Sequence, residues 1–172
     1  IGRAIALAYA QEGADVAVVA RTSTEVEEVA AEIRALGRKG VALTADLTIS
    51  QDVQEMFQAA VEDLGKMDVL VNNAGGYRLY TSNLAHQVPV LEITEEEWRR
   101  VLDANLTTAF LCCKAALPHM MERRSGAIIN MSSGVARKGR AGGAAYSAAK
   151  SAVERLTESL ADEVREFGIA VN

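Results

Sequence analysis

Residues 68–76 read DVLVNNAGG. The apolar run DVLVN (68–72) breaks off into a second asparagine, an alanine and two glycines. A short apolar run bounded by turn residues reads as a buried strand. The exit from that strand is either an ordinary Asn-Gly type of turn or a strand end open to a ligand. In the second case Asn72 and Asn73 offer side-chain hydrogen bonds, while Ala74 and Gly75 leave the backbone clear for a flat molecule. Working outward, similar runs recur at DVAVVA (15–20), GVALTA (40–45), GAIINMS (126–132) and IAVN (169–172). Helical periodicity fills the intervals at 2–12, 23–36, 50–64, 94–121 and 145–167, with Gly13, Gly37, Gly65 and Gly168 as stops. Thr94 followed by Glu97 is a capping-box signal for the fourth helix. Strands that alternate with helices, each nearly continuous in apolar residues, specify an α/β fold with a parallel sheet covered on both faces. No linker or low-complexity stretch divides the chain, so residues 1–172 are read as one domain.

Bulk properties narrow the function classes. Hydrophobic residues make up 49% and charged residues 24% of the 172 residues, as in an ordinary globular protein. No apolar run is long enough to cross a bilayer. The net charge of −5 argues against nucleic acid as a partner. Cys112 and Cys113 are adjacent, so in a helix they point about 100° apart and do not pair. Two core thiols fit a reducing, cytoplasmic compartment. His119, beside Pro118 near a helix end, is explained as a cation near that terminus. Neither it nor His86 is assigned to a metal, since no second ligand stands at suitable spacing.

Further candidates sit at the ends of the runs. In a parallel sheet the carboxyl ends of the strands face the ligand crevice. NMSSG (130–134) therefore brings Ser133 to the crevice mouth, and AAYSAAK (144–150) places Tyr146 and Lys150 one helical turn apart. Asn105, within DANL (103–106), interrupts an apolar helical pattern. Asparagine is poor in a helix interior, so it lies on a solvated face or in a polar network. Gly2, ahead of the first helix, is where a helix N-terminus could receive a phosphate. Alone it is weak.

Together these pieces resemble the short-chain dehydrogenase/reductase family. IGRAIA (1–6), ADLT (45–48), VNNAG (71–75), NL (105–106), NMSS (130–133) and YSAAK (146–150) carry the resemblance, which extends over essentially the whole chain. It implies a Rossmann-type doubly wound sheet in three layers. It implies Tyr146 as general acid/base and Lys150 as the cation that favours the phenolate and holds the nicotinamide ribose. Ser133 would orient the substrate carbonyl, and Asn105 would hold a water in a proton relay from Lys150. Gly2, Asn73, Ala74 and Gly75 would line the cofactor, with Asp46 and Leu47 at its adenine. An acidic residue at the end of the second family strand would bind a ribose 2′-hydroxyl, and an arginine a 2′-phosphate. Here position 20 is alanine and position 21 arginine, so Arg21 points to NADP(H) in preference to NAD(H).

The implied reaction interconverts a carbonyl and a secondary alcohol, as in 3-oxoacyl-carrier-protein reductases and in sugar, steroid or xenobiotic carbonyl reductases. The alternatives are a non-catalytic nucleotide-binding regulator or scaffold, and an epimerase or dehydratase of the same family. The resemblance also implies a homodimer or homotetramer through helices 94–121 and 145–167. It further implies a longer chain, of about 250 residues. Its first, central strand and remaining glycines would precede Ile1, and a substrate-covering segment would follow Asn172. Without that strand the sheet ladder is expected to divide. Tyr77, Arg78, Tyr80 and His86, in the long connection 76–93 near the substrate, are candidate substrate contacts, with a solvated loop the preferred reading for each.

Overall fold

A computed structural model describes residues 1–76 and 88–172. Tyr77, Arg78, Tyr80 and His86 lie outside the described residues. The chain divides into two compact units, Ile1–Asp68 and Val69–Asn172. Its strands hydrogen-bond as two parallel ladders, one in each unit.

The first unit runs α1 (Gly2–Gln11), β1 (Val16–Ala20), α2 (Ser23–Ala35), β2 (Gly40–Thr44) and α3 (Ser50–Leu64). β1 and β2 pair in parallel from Val16 opposite Gly40 to Ala20 opposite Thr44. Ala6, Ala10 and Ile33 bury their side chains against Leu7, Val16, Val18 and Val29. The small alanines let α1 come close, so its sequence looks weakly apolar yet still packs. Gly40 is required for a similar reason: a Cβ there would stand 2.3 Å from the carbonyl oxygen of Ala30.

The second unit contains β3 (Val69–Asn72), α4 (Glu95–Leu102), α5 (Thr108–Arg123), β4 (Gly126–Asn130), α6 (Ala144–Glu163) and β5 (Ile169–Val171). The strand order is β3-β4-β5, all parallel, with Asn72 in register with Asn130. The anticipated capping box is present at the start of α4: Thr94 Oγ1 accepts from the Glu97 amide, and the Glu97 carboxylate accepts from the Thr94 amide.

The expected single helix 94–121 is instead two α-helices joined by a π-helical turn over Asp103–Thr107. It also runs two residues further, because Arg124 takes the left-handed conformation (φ 52°) usually given to glycine at a helix end. Its guanidinium then donates to the Glu166 carbonyl and lies 5.6 Å from the Phe167 ring centroid, which holds that backbone. The expected helix 145–167 ends at Glu163, and a separate 3-10 turn covers Arg165–Phe167. Both cysteines are free and buried. Among the described residues no helix is long and apolar enough to cross a membrane.

Gly40→Ala is expected to lower the unfolding free energy by about 1–3 kcal/mol through overpacking. Gly139→Ala, where an added Cβ meets nothing within 4 Å, should stay within about 0.5 kcal/mol of the parent. Urea denaturation of the two variants side by side checks the difference.

Candidate active site

In the second unit the site grows from the loop that leaves β4. Asn130 ends the strand, and the chain continues through Met131, Ser132 and Ser133 into a 3-10 turn at Gly134–Ala136. Helix α6 clamps this loop. Lys150 Nζ donates to the Met131 carbonyl at 2.8 Å. Ser132 Oγ donates to Glu154 Oε1 at 2.8 Å. Ser151 Oγ donates to the Ala136 carbonyl at 2.9 Å. Ser133 is thus bracketed on both sides by bonds to one helix. Its own oxygen accepts from the Val135 amide at 3.5 Å, a long contact that does not use the hydroxyl proton.

Tyr146 is half-buried in the first turn of α6, one turn before Lys150. The Lys150 ammonium lies 5.8 Å from the Tyr146 ring centroid, so the two side chains share one face. Lys150 is 5% exposed. Burial disfavours its charged form and lowers its pKa from the ordinary lysine value. Next to Tyr146, the buried hydroxyl oxygen of Ser147 has no partner among the described residues.

Asn105 belongs to a polar network and not to a solvated face. It is 1% exposed. Its Oδ1 accepts from the Gly76 amide at 2.9 Å, and its Nδ2 donates to the carbonyls of Val101 (2.9 Å) and Gly76 (3.3 Å). The π turn around it and the loop after β3 are thereby tied together. Gly75 makes this close approach possible. Its φ is 127°, and a Cβ would fall 2.6 Å from Asn105 Oδ1 and 2.9 Å from the Ala104 carbonyl. Asn73 is half-buried and Ala74 exposed on the same loop.

A second buried network lies behind. Asn72 Nδ2 donates to its register partner, Asn130 Oδ1, at 2.8 Å and to Cys113 Sγ at 3.3 Å. Asn130 Nδ2 donates to Thr157 Oγ1 on α6 at 2.9 Å. Burial pushes the Cys113 thiol up to about 11 and the Cys112 thiol up to about 12. Neither is a thiolate near neutrality, so neither is a nucleophile.

In the first unit, Gly2 is half-buried at the start of α1, and Arg21 is exposed just after β1. Asp46 and Leu47 come after β2 and are half-buried. Asp46 Oδ1 accepts from the Thr48 hydroxyl (2.7 Å) and amide (3.0 Å). Those bonds hold its carboxyl below the ordinary aspartate value, with a smaller contribution from the charge of Arg21.

The short chain dehydrogenase family model matches residues 1–172. The chain belongs to the short-chain dehydrogenase family. The relatives described next are a reductase and dehydrogenases. The chain is 43% identical over its full length to a 3-oxoacyl-[acyl-carrier-protein] reductase of Staphylococcus aureus strain Mu50, covering 67% of that protein. It superposes on NAD+-bound xylitol dehydrogenase with a TM-score of 0.92 at 32% identity, over 99% of this chain and 63% of that one. It also superposes on a 7α-hydroxysteroid dehydrogenase complexed with NADH and a 7-oxo bile acid. That match has a TM-score of 0.89 at 28% identity, over 98% of this chain and 62% of that one. The fold is the three-layer Rossmann-type α/β fold of these structures. The chain spans about two thirds of the length of the relatives it matches.

The motifs locate Ser133, Tyr146, Lys150 and Asn105, but do not reveal Ser132, Ser151 and Glu154 as the clamp on the loop. One signal was available: Glu154 stands four residues after Lys150, on the same helical face.

The Asp46–Thr48 bonds predict a pH signature. A carboxyl held low when folded contributes stability that is present above its unfolded value and lost as pH falls through the folded one. Thr48→Val removes the hydroxyl donor. The Asp46 titration should then move up toward the ordinary carboxylate range in carboxyl-detected NMR. The stability difference between parent and variant should be present at neutral pH and vanish in acid.

Proposed function

We propose that this chain carries the catalytic half-site of a nicotinamide-dependent reductase that interconverts a carbonyl and a secondary alcohol. The single observation behind this reading is the buried Lys150 ammonium, bonded to the loop that bears Ser133 and lying over the Tyr146 ring. The family and its dehydrogenase relatives support the reaction class.

The residues present suit the cofactor. Gly75 keeps the loop after β3 free of a side chain. Only one of the three ammonium protons of Lys150 is needed for Met131, so the others can serve ribose hydroxyls. At the end of β1 no carboxylate occupies position 20, and exposed Arg21 offers a bidentate fork for a phosphate. In the first unit we also assign Gly2, Asp46 and Leu47 to the cofactor, and in the second unit Asn73 and Ala74. When bound, the nicotinamide supplies or accepts the hydride. We favour NADP(H) on the strength of Arg21 alone, since the two superposed dehydrogenases hold NAD+ and NADH.

In carbonyl reduction, Tyr146 donates its phenolic proton to the developing alkoxide, and in the reverse direction it takes the proton back. Ser133, with its hydroxyl proton uncommitted to Val135, donates to the carbonyl oxygen and orients it. Asn105 spends its amide on Gly76 and Val101. We therefore assign it to holding the loop and the π turn in place.

A non-catalytic scaffold would need neither a buried lysine nor a serine held beside it, and we rank it second. We assign the substrate to small carbonyl or alcohol compounds, including 3-oxoacyl thioesters, and the compartment to the cytoplasm. We assign homodimer or homotetramer contacts to the helices 94–121 and 145–167. There Trp98 and Phe110 are 38% and 45% exposed.

Tyr146→Phe should abolish ketone-dependent NADPH oxidation, with a loss of at least about 100-fold in kcat, while cofactor binding by fluorescence titration survives. Retention of activity would leave the scaffold reading. Arg21→Ala should reduce kcat/KM for NADPH by about tenfold or more and leave that for NADH nearly unchanged, checked by steady-state kinetics with both cofactors.

A further inference from the structure

Between Glu122 and Glu154 the chain contains no acidic residue, although its net charge is −5. Within that span Arg137, Lys138 and Arg140 crowd into four positions between Ser133 and Tyr146. All three are exposed. Among the described residues no carboxylate pairs with any of them. Several other surface cations do pair with carboxylates, Arg38 with Asp15, Arg99 with Glu95, Arg100 with Glu96 and Arg155 with Glu158.

The segment carrying these charges is held in place. The Arg137 amide donates to the Gly134 carbonyl at 3.3 Å, Ser151 holds the Ala136 carbonyl, and the Gly143 amide donates to the Arg140 carbonyl at 3.0 Å. Gly142, at φ 74°, turns the chain back into α6, and its carbonyl accepts from the Val88 amide at 3.1 Å. The first turn of α6 contributes no acidic residue, so its positive dipole end adds to the same field. Like charges confined to a braced loop repel one another, and an anion set among them relieves that repulsion.

We propose that Arg137, Lys138 and Arg140 form an oxyanion-receiving rim beside Ser133 and Tyr146, selecting carbonyl substrates that carry a carboxylate or phosphate group. This rests on the reductase reading above. The reacting carbonyl stays with Ser133 and Tyr146, and the rim holds the substrate's distant charged end.

The test uses methyl ketones of matched length ending in a methyl, a carboxylate or a phosphate, with NADPH. The parent is compared with a triple variant carrying Arg137→Gln, Lys138→Gln and Arg140→Gln. The anionic ketones should exceed the neutral one in kcat/KM by about tenfold, mainly through KM. The advantage should shrink with added NaCl and disappear in the triple variant, while neutral-ketone turnover is unchanged. The carboxylate and phosphate arms show which anion the rim prefers. In parallel, the amide signals of Gly139, Gly142 and Gly143 are tracked by NMR as each anionic ketone is titrated; saturable shifts are expected in the parent only. Equal efficiency for neutral and anionic ketones, or a preference that survives in the triple variant, overturns the rim and leaves the reductase reading standing. Saturable shifts with no turnover of any ketone overturn the reductase reading and leave the rim. Absence of both turnover and shifts overturns both.

Discussion

An ammonium group taken out of water is costly unless hydrogen bonds replace its hydration. Lys150 is buried, and the Met131 carbonyl at 2.8 Å supplies that replacement. The arrangement of the second unit depends on this bond. It fixes the start of α6 against the exit of β4, and so determines where Tyr146 stands one turn earlier and where Ser133 stands two residues later. Apolar burial is non-directional, whereas a hydrogen bond to one carbonyl fixes a specific pair of atoms.

The other buried polar groups act in the same way. Asn105 joins the π turn to the loop after β3, and Gly75 permits the approach by lacking a side chain. Asn72, Asn130 and Thr157 join two strands to α6. A buried amide without a partner costs about 1–3 kcal/mol, so each pairing penalises any arrangement that breaks it. The site is built from backbone segments that polar side chains hold, and the apolar core supplies the layers on which they sit.

The first unit handles charge differently. Arg21 stays at the surface at the end of its strand, and Asp46 is engaged by Thr48. An exposed guanidinium keeps its hydration and avoids the desolvation cost that a buried ion pair would carry. The cations of the 137–140 loop share this exposed state.

The sequence by itself determined the α/β class, the order of strands and helices, and the positions of Ser133, Tyr146 and Lys150 at strand end and helix start. Those features come from local periodicity and from residue spacing along one element. Only the tertiary structure decided that Asn105 sits in a π turn and bonds the loop after β3, that the helical stretch after Thr94 runs past residue 121 and ends before a left-handed Arg124, and that Glu154 and Ser151 clamp the serine loop. Each of these depends on atoms brought together from segments 15 to 42 residues apart. Periodicity along a single element carries no record of such pairings, because they form only when the buried groups of one segment meet the backbone of another.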